Sequence, residues 1–405
     1  MTGIGVAGCA LIDYLYSGVD FSSPEFQTYQ TRKPGDGGLR PGALVFASDL
    51  ETFASTPLSE ILRDVVGYRP ADAANVGGPG IVAAIHAAQL GASHDIEVSF
   101  YGARGNDADG SLPVERLSGV PVSLAGYRAF PGPTPSTIVL SDPAYANGAG
   151  ERCFINTIGA AAHYSPDEIE TAFYENEVVL FGGTALVPTL HDRLDECVVK
   201  AHEAGAVTVI GTVYDFRNEQ RSSNTPWPLL RNERSWRALD LLITDYEEAL
   251  RISGTDSAHA AVDRFLSWGV GAAAVTCGTD PLVAESAGRQ FQKSGRIELP
   301  ISERIHNEHK SGINPTASAG RDTTGCGDNF VGGVLYATAH AFGEGELSGT
   351  DFRAILAHGV VAGGLASFHL GGTYTETRPG EKAALVQEYL ADYLSQTGLG
   401  GYGIV

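Results

Sequence analysis

Short apolar runs alternate along most of this chain with longer stretches of helical periodicity. The runs are apolar on nearly every position, which is typical of strands that are buried on both faces. They lie at 178–181, 207–210, 241–244 and 273–276. The helical segments between and around them lie at about 187–204, 246–253 and 257–268. This alternation predicts βαβ units, and therefore an α/β fold whose central sheet is mainly parallel and carries helices on both faces.

Two segments, at about 14–70 and 119–156, interrupt this alternation. The first is rich in Gly, Pro, Ser and Thr, and the second is an irregular pair of strands; both are too interrupted to join a central parallel sheet. If they leave the same edge of the sheet they meet in space, so we expect a small β-lid. We predict one domain over residues 1–405, with three αβα layers and this lid. A stretch at about 303–321 is predicted to be a mobile loop; its two histidines could bind a metal, but solvated loop histidines are the preferred interpretation.

Composition narrows the classes of partner. The formal charge of −21 argues against binding of nucleic acid or of an anionic membrane, although a local amide site can still hold phosphate. No run approaches the roughly eighteen apolar residues of a membrane helix, and the N-terminus lacks a basic signal region. The five cysteines are scattered, without metal-ligand spacing. Reduced thiols and a cytoplasmic location are the resulting expectation.

The stretch Asp-Thr-Thr-Gly-Cys-Gly-Asp at 322–328 carries the clearest chemistry, because an apolar run that predicts a helix follows it at 330–337. Backbone N–H groups at a helix N-terminus are unsatisfied and bind anions, and glycines let an anion approach closely. Asp328, beside them, can take a proton from a hydroxyl that attacks a bound phosphoryl group. The alternative role of Asp328 is that of a helix cap. The amides of the predicted anion hole belong to Gly325, Cys326 and Gly327.

This stretch closely resembles the C-terminal signature of the ribokinase (PfkB) family of sugar and nucleoside kinases, with Cys326 where alanine is usual. Weaker motifs in the same order extend the resemblance over nearly the whole chain. It implies a ribokinase-like fold and ATP-dependent phosphorylation of the primary hydroxyl of a sugar or sugar-like substrate. The alternatives are an adenosine-like nucleoside kinase and a sugar-binding sensor without turnover. The intact Asp328 and flanking glycines argue against the sensor.

The resemblance also implies a substrate site, where an aspartate after the first strand and a glutamate from the lid bind hydroxyls and a glycine pair admits the sugar. The first strand is predicted at 4–10, and Val82 stands where many members carry an asparagine, so the acceptor stays open. Taken alone, the aspartate and glycines are equally turn residues, and the glutamate is equally an exposed strand-end residue. The matching positions are Asp13, Gly77, Gly78 and Glu151.

The nucleotide and metal positions follow from the same resemblance. Glu248 matches a glutamate that helps to set Mg²⁺ through water, although acidic residues in a first helical turn also complement the helix dipole. Some members need a monovalent cation such as K⁺, here near 322–324, and a homodimer through the lid is a further expectation. The lone helical histidine among the ATP positions has a structural role as its alternative. The positions implied for ATP are Thr276, Gly278, Thr323, Thr324 and His358.

Overall fold

A computed structural model describes residues 1–33, 35–148, 150–222, 224–316, 323–374 and 376–400. No helix among these residues has the length and the apolar composition needed to cross a membrane.

The strands, in chain order, are β1 (Thr2–Gly8), β2 (Leu11–Ser17), β3 (Leu44–Phe46), β4 (Ala73–Gly77), β5 (Ile96–Gly105), β6 (Val122–Phe130), β7 (Ser136–Asp142), β8 (Glu151–Thr157), β9 (Val178–Gly182), β10 (Val207–Gly211), β11 (Leu241–Asp245), β12 (Ala272–Cys277), β13 (Asp280–Ser286) and β14 (Ile297–Leu299).

The α-helices are α1 (Pro24–Tyr29), α2 (Ala47–Ala54), α3 (Leu58–Val66), α4 (Pro79–Gly91), α5 (Leu112–Arg116), α6 (Tyr145–Gly148), α7 (Pro188–Asp192), α8 (Leu194–Glu203), α9 (Phe216–Arg221), α10 (Glu233–Ala238), α11 (Tyr246–Ser253), α12 (Ala258–Trp268), α13 (Glu303–Ser311), α14 (Cys326–Gly343), α15 (Phe352–Ala366) and α16 (Glu381–Gln396). Short 3₁₀ helices lie at Ala108–Ser111, Gly159–His163, Pro166–Glu168, Thr171–Glu175, Thr184–Leu186 and Leu347–Gly349.

The larger sheet has the strand order β14-β13-β12-β11-β10-β9-β1-β5-β6. All neighbours from β12 to β6 pair in parallel, and β13 and β14 add an antiparallel edge. The four apolar runs that were predicted as buried strands form β9 to β12 at its centre. The predicted α/β fold with a mainly parallel sheet is therefore confirmed.

Helices cover both faces of this sheet because its central strands are apolar on nearly every position. In β9, Val178 and Leu180 pack into one core with residues of α4, α14, α15 and α16. Val179 and Phe181 point the other way and pack with residues of α8, α10, α11 and α12. Continuous hydrophobicity in a strand thus produces two cores and three layers, as expected for a parallel sheet.

The smaller sheet has the order β3-β8-β7-β2-β4 and forms the lid sheet. One of its faces carries Tyr14, Ile138, Ile155 and Val45, which lie opposite one another on four strands. These side chains pack with those of α1, α2 and α3 in a separate apolar cluster. The other face is therefore the one that remains to line the cleft toward the larger sheet.

The strand boundaries near the lid differ from those predicted. The first strand is Thr2–Gly8 rather than 4–10, and β2 begins only three residues later, so Asp13 lies inside a lid strand. Within the segment 119–156, β7 and β8 join the lid, but β6 pairs in parallel with β5 at the edge of the larger sheet. An edge strand is covered less completely than a central one, and the mixed burial along β6 matches its irregular pattern.

The predicted loop at 303–321 is wrong over its first half, because residues 303–311 form α13. Ser302 caps this helix by accepting a hydrogen bond from the N–H of Ile305. Its polar surface is stabilised against α16, where Arg304 pairs with Glu388 and Asp392. With Ile305 as its only buried residue, α13 lacked the apolar periodicity by which helices are predicted.

Candidate active site

The carboxyl ends of the central strands and the N-terminus of α14 meet around an open cavity of about 170 Å³. Parallel strands in α/β proteins place ligands at this edge, because helices start there and strand ends leave backbone groups free. Asp328 lies in the first turn of α14 and lines the cavity together with Gly327. The other lining residues are Pro79, Leu180, Gly182, Gly211, Thr212, Val213, Ile243, Thr244, Asp245, Glu248, Thr276 and Val331.

The turn at 323–327, which we name the Gly325 turn, depends on glycine. Gly325 is the N-cap of α14 with a left-handed φ of 81°. A Cβ at this residue would lie 2.4 Å from the Cα of Gly372, so the two backbones touch. The side-chain amide of Asn329 holds this contact by donating to the carbonyls of Gly325 and Gly372, at 2.8 Å each. No residue with a side chain fits at Gly325.

The three amides predicted for the anion hole are not equivalent. The N–H of Cys326 donates to the carbonyl of Thr323 at 3.2 Å, inside the turn itself. Gly327 is exposed, and a Cβ there would meet open space, so a ligand can approach its backbone. The first N–H groups of an α-helix have no partner within the helix and are directed out of its end. Within the first turn of α14, the accessible backbone is therefore that of Gly327 rather than that of Cys326.

Asp328 is kept protonated by its surroundings until near-neutral pH. The side chain retains some exposed surface inside the cavity, but protein surrounds its carboxyl group. This burial raises its pKa from 3.8 to about 7, since the charged form loses hydration. The result is a carboxyl group that exchanges its proton near neutral pH, which is the range in which a general base is most effective.

A second acidic group lines the same cavity, at the start of α11. Asp245 caps this helix, and the backbone N–H of Glu248 donates to its Oδ1 at 2.8 Å. The hydroxyl of Thr212 donates to the Glu248 carboxyl. Burial raises the pKa of Glu248 to about 8, and the negative charges of Asp245 and Asp328 act in the same direction.

This acidic group fits a cation that is held only partly by protein. Among the described residues, no cluster of three His, Cys, Asp or Glu side chains is arranged to ligate a metal ion. The buried carboxyl of Glu248, with its raised pKa and no cationic partner among the described residues, nevertheless favours a positive charge nearby. Mg²⁺ suits such a site, because it keeps several waters and takes its remaining ligands from substrate phosphates. Glu248 is the side chain that would hold it.

The cleft-facing side of the lid sheet carries a polar row formed by Asn75, Asp13, Thr137 and Asn156. These residues lie directly opposite one another on β4, β2, β7 and β8, so their side chains share one face. The Nδ2 of Asn156 donates to the Thr137 hydroxyl at 3.0 Å. Of the four, only Asp13 was predicted. The others stand on strands far apart in the chain, and only the register brings them together.

Asp13 connects the polar row to the cavity. A Cβ on Gly77 would lie 2.0 Å from its Oδ2, so the carboxylate rests against the glycine backbone. Gly78 has a φ of 103° and approaches the backbone of Cys9 and Ala10. Burial raises the pKa of the Cys9 thiol, and the charges of Asp13 and Asp328 raise it further. Both carboxyls therefore lie near Cys9, and the structure brings Asp13, Gly77 and Gly78 together.

Glu151 does not join this group. It lies opposite Asp142 at the far end of β8, five residues from Asn156 and hence on the other face of the lid sheet. Its Oε1 accepts a hydrogen bond from the N–H of Arg152 at 2.9 Å. Arg152 points toward the cleft instead, where its Nη1 donates to the hydroxyl of Thr324 at 2.9 Å. The lid thus contacts the Gly325 turn through Arg152, a residue whose sequence position had suggested contact with a sugar or a phosphate.

The structure brings some of the predicted ATP positions to the cavity and leaves others away from it. Thr276 lines the cavity at the end of β12, and Gly278 follows in an exposed turn with a φ of 63°. Thr323 and Thr324 lie in the Gly325 turn, while Asp322 lies outside the described residues. His358 is buried within the helical layer, where its Nδ1 lies 3.1 Å from the carbonyl of Ala354. Burial lowers its pKa to about 4, and the arrangement does not bring His358 to the cavity.

A family model for the pfkB family of carbohydrate kinases matches residues 56–378. The chain therefore belongs to this family, whose members are phosphotransferases that act on an alcohol group and use ATP. Among curated protein sequences, none matches the chain significantly.

Solved structures of kinases have the same fold. An adenosine kinase from Sinorhizobium meliloti is 18% identical with a TM-score of 0.66, and the match covers 96% of this chain and 99% of that one. A ribokinase from Thermotoga maritima is 18% identical with a TM-score of 0.59, covering 96% and 99%. An Arabidopsis thaliana ribokinase, solved with ribose and ATP, is 19% identical with a TM-score of 0.59, covering 96% and 98%. At these identities the likeness extends to the fold, which is ribokinase-like.

Proposed function

We propose that this protein transfers the γ-phosphoryl group of ATP to the primary hydroxyl of a sugar or sugar-like substrate, with Asp328 as general base. The observation that carries the proposal is the position of Asp328. It lies in the first turn of α14, lines the cavity and has a pKa raised by burial to about 7. A base beside a helix N-terminus suits phosphoryl transfer, because one group accepts the proton while amides hold the transferred oxygens.

In the proposed step, Asp328 accepts the proton of the substrate hydroxyl as its oxygen bonds to the γ-phosphorus. The bond from that phosphorus to the ADP oxygen breaks, and ADP leaves with the electron pair. Amides of the Gly325 turn and of the first turn of α14 hold the charge that develops on the phosphoryl oxygens. Mg²⁺, when bound, would neutralise phosphate charge, and Glu248, which lines the cavity, is the side chain that would hold it.

The polar row supports a hydroxyl-rich acceptor. Asn75, Asp13, Thr137 and Asn156 offer amide, carboxylate and hydroxyl groups at the spacing of neighbouring strands. Neighbouring strands lie about 4.8 Å apart, which is comparable to the separation of alternate hydroxyls on a sugar ring. A sugar also forms part of every nucleoside, so the polar row would suit the adenosine-like alternative as well. The same assay distinguishes the two.

We further propose one kinase domain over residues 1–405 with a mobile lid, as inferred for the segments 14–70 and 119–156. The contact of Arg152 with Thr324 supports it, since closure through this pair would exclude water from the reacting groups. Hydrogen exchange in the lid should slow when a saturating acceptor is added. Equal exchange with and without the acceptor would count against closure. Activity measured after K⁺ is replaced with Na⁺ tests a need for K⁺. Light scattering tests whether the protein forms a homodimer through the lid.

ADP release with a panel of pentoses, hexoses and nucleosides tests the proposed reaction. We expect release that depends on at least one sugar and is lost in Asp328→Asn. Release with nucleosides alone would establish the nucleoside kinase instead. Specific sugar binding without ADP release would identify a sensor and overturn the proposal.

A further inference from the structure

A buried lysine lies directly behind the Gly325 turn. Lys382, in the first turn of α16, is 5% exposed. Its Nζ donates to the Oε1 of Gln89 at 2.9 Å and to the Oδ1 of Asn329 at 3.4 Å. No carboxylate forms an ion pair with it among the residues that the structure describes. An ammonium group is costly to bury without a counter-charge, so its presence in this layer favours a functional role.

Asn329 connects this lysine to the turn. Its Nδ2 donates to the carbonyls of Gly325 and Gly372, and only its Oδ1 faces the ammonium. If the amide rotated by half a turn, its oxygen would face two carbonyl oxygens and its NH₂ would face Lys382. Two carbonyls already require the NH₂ group of Asn329 as donor, and the Lys382 amine supplies the donor for the remaining Oδ1, so the lysine supports the orientation that holds both glycine carbonyls.

The neighbours of Lys382 fix its own position. The Nε2 of Gln89 donates to the carbonyl of Tyr374 at 3.0 Å, which leaves its Oε1 for the ammonium. His86 and His369 line a small cavity of about 10 Å³ together with Lys382. Burial lowers the pKa of both histidines, and the charge of Lys382 lowers it further, so they stay neutral.

The charge on Lys382 itself depends on two opposing influences. Burial lowers the pKa of Lys382 to about 7, while the charge of Glu376 acts in the opposite direction. Glu376 approaches the backbone rather than the ammonium, since its Oε1 accepts a hydrogen bond from the N–H of Lys382 at 2.8 Å. Among the described residues, the amine is therefore held by two neutral amide oxygens and lies 5.9 Å from the centroid of the Tyr374 ring.

We propose that Lys382 is a positioning residue for phosphoryl transfer, which acts through Asn329 to hold the Gly325 turn and the first turn of α14 against the transferred phosphoryl group. The proposal rests on the proposed function of that turn. Lys382 lies beyond the residues 56–378 that the family model matches, and no motif in the sequence indicates it. It gives the C-terminal helix a direct influence on the chemical step.

Hydrogen exchange tests the structural half of the proposal without any substrate. We expect the amides at 323–327 to exchange faster in Lys382→Met and in Asn329→Ala than in the native protein. Leu390→Ala is the matched control, because Leu390 is a buried residue of the same helix with a place in the apolar core. Exchange at 323–327 that is unchanged in Lys382→Met, or equally fast in Leu390→Ala, would overturn the proposal.

Turnover tests the functional half, at a temperature where circular dichroism shows every variant folded. We expect Lys382→Met to lower kcat by about 10–100-fold, the usual effect of removing a group that orients a site, while KM for ATP changes by less than about threefold. The kcat of the double variant, Lys382→Met with Asn329→Ala, should lie within about twofold of the kcat of Asn329→Ala alone, because the lysine acts through that amide. Additive losses would contradict this coupling. If the native protein phosphorylates none of the pentoses, hexoses and nucleosides, the proposed function is wrong. Hydrogen exchange at 323–327 would still decide whether Lys382 holds the Gly325 turn.

Discussion

The Gly325 turn and the polar row of the lid sheet border the same cleft but are encoded in different ways. In the turn, the backbone amides belong to consecutive residues, and the backbone contact between Gly325 and Gly372 determines the conformation of the turn. In the polar row, Asn75, Asp13, Thr137 and Asn156 come from four strands and are neighbours only through their register. Local chemistry can be found in a sequence, whereas chemistry that depends on register requires knowledge of which strands pair.

The largest effect should come from the turn. Asp328→Asn removes the proposed base but keeps the shape of the side chain, so kcat should fall by about 10²–10⁴-fold with little change in ATP affinity. Steady-state kinetics with a saturating acceptor measure kcat, and calorimetry measures ATP binding. A folded Asp328→Asn protein with near-normal kcat would remove Asp328 from this role.

The same aspartate predicts a pH dependence. Its pKa of about 7 means that kcat/KM should fall about tenfold for each pH unit below 7 as the base becomes protonated. Folding raises this pKa, so the folded state holds the extra proton between about pH 4 and 7, and its stability contribution declines as pH rises through that window. Asp328→Asn should therefore be more stable than the native protein by about 2–4 kcal/mol at pH 8. Near pH 4 the two proteins should unfold alike in urea.

Glu248→Gln should have the next largest effect and should act through the metal. The amide keeps the hydrogen-bonding size of the side chain but loses its charge, so the Mg²⁺ concentration for half-maximal activity should rise by about 10–100-fold. Glu247→Gln is the control, because Glu247 is exposed in the same helical turn. Equal responses of the two variants to Mg²⁺ would assign the acidic turn to helix stability alone.

The lid is tested by comparing its two carboxylates. Asp13→Asn should raise KM for the acceptor by about 10–100-fold, since a hydrogen bond to a charged group contributes about 1.5–3 kcal/mol. Glu151→Gln should change KM by less than about twofold, because Glu151 lies on the opposite face of the sheet. A larger loss in Glu151→Gln than in Asp13→Asn would reverse this assignment of the faces.

The smallest effect is expected at Cys326, which is partly exposed at the start of α14. Cys326→Ala should retain activity, because alanine is usual at this position in the pfkB family. Alkylation of the native thiol should block phosphate binding, and bound ATP should protect it; a buried thiol would not react. The variant should be insensitive to the reagent. Unchanged inactivation of Cys326→Ala would assign the sensitivity to another cysteine.

The parts of the structure that the sequence predicts are those with a local cause. The apolar runs predicted β9 to β12, and the glycines before an apolar run predicted the start of α14. Helix α13 was missed because its stability comes from ion pairs with α16 rather than from an apolar stripe. The sequence could not tell on which face of the lid sheet Glu151 lies, because a face is determined by register and one residue along a strand reverses it. Lys382 was missed because its environment is composed of three separate helices and a loop.

The backbone contact between Gly325 and Gly372 also makes the onset of activity depend on a residue that is synthesised well after the turn itself. A nascent chain that already has its larger sheet and lid lacks the surface against which the Gly325 turn is shaped. We expect such a chain to be unable to waste ATP, because the anion site forms only when residue 372 arrives.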